Sequence, residues 1–332
     1  MRERRMRKMK KICYILTLLI AVALSSCKEK LDDLSVFPYV DEALDPNSYT
    51  YQLDSFVKRT YLEPYNVEFR YKMQDVSTDL NYNLVPCDYD KAITIAVLAK
   101  YLWWDVYEAQ TGSKEFLRQY GPKILNIIGS AGHNPTTGTI KLGVAEGGLK
   151  VTLHAINNID PSNVSMLNEY YFKTMHHEFS HILHQTKPYP TEYRTISAGY
   201  YRPNGWEERS EQEARSLGFT GNYGSSQDRE DFVEMIANFV VKTDDEWQSM
   251  LSDAGKGWKQ DDLGRVEQME RDTDGVDGPT IINQKIEICR TWLQEQWGIN
   301  LDSLHAEVQR RQNNMNIDSL RNQVLTIQAP NK

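Results

Sequence analysis

The stretch YYFKTMHHEFSHILHQTK, residues 170–187, holds four of the chain's seven histidines, with Glu178 directly after the second of them. On an α-helix, residues four apart lie on one face, one turn up. His177 and His181 can therefore present ring nitrogens to a single Zn²⁺ at about 2.0–2.1 Å. Glu178 is out of register for the same ion and is directed toward a water on the metal, where a general base belongs. The segment also has the pattern of a helix. Phe172, Met175, Phe179 and Ile182 recur at intervals of three and four. That stripe faces a core and leaves the two histidines on a different face. His176 lies about 100° round from His177 and reads as a packing residue or a group behind the ligands. His184 shares the ligand face but sits about 4.5 Å further along the axis than His181, so it reads as a wall of the cleft. Two histidines leave a catalytic zinc one protein ligand short. The fold must bring the third from elsewhere in the chain.

The segment REDFVEM (229–235) offers it, because Glu230 and Glu234 stand four apart on a predicted helix. Two carboxylates one turn apart suit two jobs. One binds the metal, and the other accepts a hydrogen bond from the far nitrogen of a ligand histidine, fixing its tautomer. The residues alone leave open which glutamate does which, and Asp231 is a further candidate ligand.

HEFSH followed 49 residues later by EDFVE resembles the gluzincin metallopeptidases, in particular the subgroup related to anthrax lethal factor. The resemblance implies that Glu230 is the third zinc ligand, that Glu234 supports a ligand histidine, and that Tyr223, seven residues before Glu230, assists at the transition state. It implies a zinc metallopeptidase in which Glu178 is the general base. The segment KVTLHAI (150–156) then reads as an edge strand on which an extended peptide could pair, with His154 close to that groove.

The N-terminus has a different character. A basic segment, MRERRMRKMKK, precedes an apolar run of 13 residues, too short for a comfortable membrane span. The run ends in Leu24-Ser25-Ser26-Cys27, which resembles a bacterial lipobox with Cys27 as the lipidated residue. Residues 1–26 read as a lipoprotein signal peptide, 27–48 as a tether, 49–325 as one metallopeptidase domain and 326–332 as a loose tail. Together with the motifs of roughly 170–241, the lipobox makes the chain similar to zinc-metallohydrolase lipoproteins of Bacteroidetes. Those accompany TonB-dependent import systems. The resemblance implies an outer-membrane lipoprotein facing the periplasm or the exterior, a peptide or protein substrate, and a TonB-dependent transporter with its surface lipoprotein as partners. Two rival functions stay open: a non-catalytic zinc-containing binding lipoprotein, and an amidase acting on cell-wall or glycan material.

Removing residues 1–26 takes away seven Lys/Arg and one Glu, leaving 31 basic and 45 acidic residues and a net charge of −14. That charge disfavours nucleic acid and anionic membrane surfaces as partners. Cys87 and Cys289, 202 positions apart, read as one disulfide or as two unpaired core residues. The periodicities predict a strand over 65–73, a helix over 88–112 and a strand over 122–130. Two strands follow over 138–157, around the EGG turn at 146–148. Helices are predicted over 204–218, 229–241, 278–298 and 300–314. The DTDGVDG loop (272–278) lacks the closing glutamate of a calcium loop and reads as a polar turn. The class that emerges is α+β, a small mixed sheet followed by a mainly helical C-terminal half.

Overall fold

The computed structural model describes residues 44–73, 83–133, 140–141, 143–146, 149–260, 263, 265–269 and 275–329. The signal peptide, Cys27, the tether up to residue 43, the end of the EGG turn, the start of the DTDGVDG loop and residues 330–332 lie outside the described residues. Two units divide the chain, Met1–Leu44 and Asp45–Lys332. The elements below belong to the second.

The fold is α+β, but helices come before the sheet as well as after it. Tyr51–Val57 continues through a π-helical turn, Lys58–Leu62, into Glu63–Tyr65. Asn66 then adopts a left-handed conformation (φ 57°) and turns the chain into β1, Glu68–Arg70. The strand expected from residue 65 thus begins later, because Asn66 tolerates the positive φ that closes a helix. The helix expected over 88–112 forms as Tyr89–Ala99, a π turn Lys100–Trp104, and Asp105–Thr111, closed by Gly112 at φ 66°. Residues 92–99 are all buried, so this stretch of the helix crosses the interior with no solvent face.

The main sheet contains β1, β2 (Ile124–Ile127), β5 (Gly143–Glu146) and β6 (Lys150–Leu153), in the order β1-β2-β6-β5. β1, β2 and β6 are parallel, and β5 runs antiparallel to β6 with Glu146 opposite Lys150. A separate two-stranded ladder joins β3 (Gly132–His133) to β4 (Ile140–Lys141). Another joins β7 (Gly257–Gln260) to β8 (Val266–Met269).

This order corrects one expectation. The 150–156 segment is not an edge strand: β6 lies between β2 and β5, and β1 and β5 are the outer strands. The side chains of Val151, Thr152 and Leu153 are all buried, as an inner strand covered on both faces requires. His154 is buried just beyond it.

The C-terminal half is helical as expected, with Asp228–Val241, Asp244–Ala254 (a helix the sequence pattern did not predict), Gly278–Trp297 and Leu301–Asn313. Thr243 and Glu246 form a reciprocal capping box at the start of the second of these. Asp277, from the described end of the DTDGVDG loop, caps the third. The helix expected over 204–218 shrinks to Glu211–Ser216. Gly205 (φ 92°) opens a short 3₁₀ turn at Trp206–Glu208, and Ser210, not Asn204, accepts from the Glu213 amide as the cap. A last helix, Ile317–Leu325, was not anticipated, and Ile327 just beyond it is held: it packs on the core and its carbonyl accepts from Gln52.

The 170–187 segment forms a helix over Lys173–Thr186, the histidine helix, preceded by a π turn at Asn168–Phe172. Phe172, Met175 and Phe179 are buried and Ile182 partly so, as its apolar stripe demanded. Phe179 stands edge-on to Trp103 and Tyr107, with ring centroids 5.0 and 4.8 Å away. These contacts dock the histidine helix on the buried helix 89–111.

Candidate metal centre

Three donor atoms converge where the histidine helix meets the helix Asp228–Val241, the glutamate helix. His177 Nε2 and His181 Nε2 are 3.2 Å apart. Glu230 Oε2 lies 3.3 Å from the first and 3.0 Å from the second. A tetrahedral zinc with ligand bonds of 2.0–2.1 Å has edges of about 3.3 Å, so this triangle is one face of such a tetrahedron. The donor chemistry, two imidazoles and one carboxylate, also fits zinc. Among the described residues, no other group of His, Cys, Asp and Glu is arranged to hold a metal.

The two helices run antiparallel: as numbers rise on one, they fall on the other. Glu230 faces His181, and Glu234 faces His177 and then Lys173. Four residues rise about 6 Å on either helix, so two i,i+4 pairs match rung for rung. This register separates the glutamates. Glu230 reaches the Nε2 face, whereas Glu234 lies behind His177, with Oε1 2.8 Å from Nδ1. Its other oxygen accepts from Asn238 Nδ2 at 3.0 Å and lies 3.4 Å from Lys173 Nζ. Asp231 points away from the centre. It is fully buried, ion-paired with Lys285 at 2.7 Å, and accepts from the Tyr201 hydroxyl at 2.9 Å. It is therefore excluded from the donor set, and it ties the glutamate helix to the helix Gly278–Trp297.

His184 does something the sequence reading missed. It is not only a cleft wall: its Nε2 lies 2.9 Å from His181 Nδ1. Tyr189 and Phe232 brace it, edge-on at 5.4 and 6.3 Å. The available signal was the i,i+3 spacing, which brings neighbouring side chains together on a helix. His176 is a packing residue, fully buried, with Nδ1 2.9 Å from the Tyr107 hydroxyl.

The charges follow from these contacts. Burial opposes a proton on His177, but hydrogen bonds to Glu230 and Glu234 outweigh it and raise its pKa to about 9 in the metal-free protein. Burial would raise the Glu234 pKa, yet Lys173 and His177 bring it down to about 2. Glu230 is likewise held below the usual carboxylate range: its burial is overridden by the two histidines. Burial, then the neighbouring His181, depresses His184 to about 4, so it is a neutral acceptor.

Glu178 is half-buried at the centre, close enough for its charge to act on both His177 and Tyr223. Tyr223 opens a 3₁₀ turn, Tyr223–Ser226, just before the glutamate helix. Its ring is 5.9 Å from that of His177 and meets Trp206 edge-on at 4.9 Å. Burial, then the Glu230 charge, raises its phenol well above the ordinary value, so it stays protonated. The turn is fixed by Arg202 N–H, which donates to the Ser225 carbonyl at 2.7 Å. The edge strand β5 lies against the histidine helix. Cys87 and Cys289 are free thiols, so no disulfide joins them.

Residues 47–302 match a family described as "Putative zinc-binding metallo-peptidase". A solved structure from Bacteroides caccae, described in the same words, is 36% identical with a TM-score of 0.66. That match covers 80% of this chain and 95% of the other. No curated protein matches the chain.

Proposed function

The chain belongs to this family of zinc-binding metallopeptidases, and from that premise we propose that it hydrolyses peptide bonds with a gluzincin-type HExxH centre. The observation that carries the reading is the donor triangle of His177, His181 and Glu230, with Glu178 and Tyr223 beside it. Zinc, when bound, supplies a Lewis acid and lowers the pKa of water toward 7. The rest is the work of the chain. His177 and His181 face the metal through Nε2, and each has its Nδ1 proton held from behind, by Glu234 and by His184 respectively. Glu178 takes the proton of the attacking water and delivers it to the leaving nitrogen. Tyr223, kept protonated, donates a hydrogen bond to the oxyanion as it develops. The outer edge of β5, which pairs with no further strand among the described residues and lies beside the histidine helix, supports an extended substrate pairing there.

Glu178→Gln tests this. Zinc content is expected to stay at one per chain while peptide cleavage falls about 10²–10⁴-fold, the usual share of acid–base catalysis. A variant as active as the wild type would remove Glu178 from the mechanism.

The Leu24–Cys27 pattern supports a lipid anchor at Cys27 in the cell envelope. The resemblance to import-associated lipoproteins supports a TonB-dependent transporter and its surface lipoprotein as partners. Radiolabelled palmitate should enter the wild type and not Cys27→Ser, and an unlabelled wild type would refute the anchor. Co-purification from envelope membranes tests the partners, and recovery of the protein without any transporter counts against them.

A further inference from the structure

A cavity of about 420 Å³ opens beside the metal centre, with Tyr223 and Glu234 in its wall. It runs along the glutamate helix to Lys242, eight residues and about 12 Å beyond Glu234. Its volume lies in the range of ligand sites. It is also polar and charged, in a chain whose overall balance is acidic.

Three cations line it, Lys173, Arg215 and Lys242, and they are not equally occupied. Lys173 is paired with Glu234. Arg215 is held by two loose ion pairs, 3.8 Å to Glu211 and 3.5 Å to Asp253. Its guanidinium, which has five N–H donors, makes no hydrogen bond among the described residues. The Lys242 ammonium makes no hydrogen bond or ion pair among the described residues.

The carboxylates in the same wall are mostly committed. Glu234 serves His177 and Asn238. Glu246 accepts from the Thr243 amide at 2.8 Å as a helix cap. Glu211 is the loose partner of Arg215, and Glu169 is exposed. Burial, then the Arg215 charge, depresses the Lys242 ammonium. An unpaired, partly buried cation beside a second cation with spare donors is relieved by an anion between them.

We propose that this cavity is a substrate subsite for a carboxylate, received by Lys242 and Arg215. The inference rests on the peptidase reading above and adds a substrate class to it. Lys242 stands twelve residues, about 18 Å along the helix, from Glu230 at the donor triangle, and an extended peptide advances about 3.3 Å per residue, so the carboxylate belongs five or six residues from the scissile bond. It is supplied by an acidic side chain or by the free C-terminus.

The experiment incubates the zinc-loaded full chain with a peptide library and reads the cut sites by mass spectrometry. One cleaved sequence is then remade with Glu or Gln at the fixed position, and with a free or amidated C-terminus. The carboxylate form of one pair is expected to be preferred by about tenfold or more in kcat/KM, chiefly through KM, the worth of a charge-assisted hydrogen bond. Whichever pair responds identifies the source. In Lys242→Met and Arg215→Gln the preference should collapse toward one while zinc content holds, and Lys242→Glu should favour a lysine at that position. Cleavage indifferent to charge in both pairs, or a preference that survives both variants, overturns the subsite and leaves the peptidase reading standing. Failure to cut any library member overturns the peptidase reading, and the subsite with it.

Discussion

The two histidines of the donor triangle sit on one helix, one turn apart, yet what stands behind each is different. Behind His177 is a buried carboxylate, Glu234, itself held by Asn238 and Lys173. Behind His181 is a neutral imidazole, His184, held by rings near the end of the helix. A carboxylate fixes the tautomer and adds charge, which strengthens the imidazole as a donor and attracts a competing proton. An imidazole fixes the tautomer alone. One half of the centre is thus tuned by charge and the other by orientation.

The largest expected effect separates the triangle from its supports. Glu230→Ala should abolish stoichiometric zinc retention after dialysis, whereas Glu234→Ala should weaken affinity about 100-fold and still bind at saturation. Equal losses in the two, by competition with a chromophoric chelator, would mean that the glutamates share the ligand role.

The next effect is on the His181 side. His184→Ala should weaken zinc about tenfold, the low end for such a partner, and His184→Gln should recover part of it because its amide oxygen still accepts. The Co²⁺-substituted protein adds a readout that a purely structural role would not move: its visible spectrum should change in His184→Ala and return toward wild type in His184→Gln. A spectrum identical across all three would place His184 outside the metal's influence.

The most gradual effect, about tenfold for each pH unit, is in pH. The folded pKa of His177 is raised to about 9, above its ordinary value near 6.5. In the metal-free protein its stabilising interaction is fully present below about 6.5 and fades as pH rises through about 9. Zinc must displace that proton, so affinity should climb by about tenfold per pH unit between 7 and 9, with nearly one proton released per zinc at pH 7. Calorimetry in buffers of different ionisation enthalpy measures the release. Glu234→Ala should shrink it and His184→Ala should not. The reverse ranking would break the distinction between the two sides.

Much of this centre was legible from local pattern. Phe172, Met175 and Phe179 marked the buried stripe of the histidine helix because a 3.6-residue period is a property of consecutive residues. The long C-terminal helices were legible for the same reason. The strands were less so: β6 took an inner place, which depends on what pairs on either side of it. The short helix Glu211–Ser216 was misjudged because Gly205 and Ser210 divided what looked like one period. The cavity could not be foreseen, since its wall draws on residues from Ser165 to Glu246.

By itself the sequence determined which helices carry the donors, since spacing of four along one chain segment suffices to align His177 with His181 and Glu230 with Glu234. Spacing alone could not rank the two glutamates, because a helix repeats every turn and each glutamate is locally equivalent to the other; it was the family resemblance that favoured Glu230. Only the antiparallel docking of the two helices set the rungs, Glu230 against His181 and Glu234 behind His177. That register is decided by side-chain packing across the helix interface, which no segment of the chain contains alone.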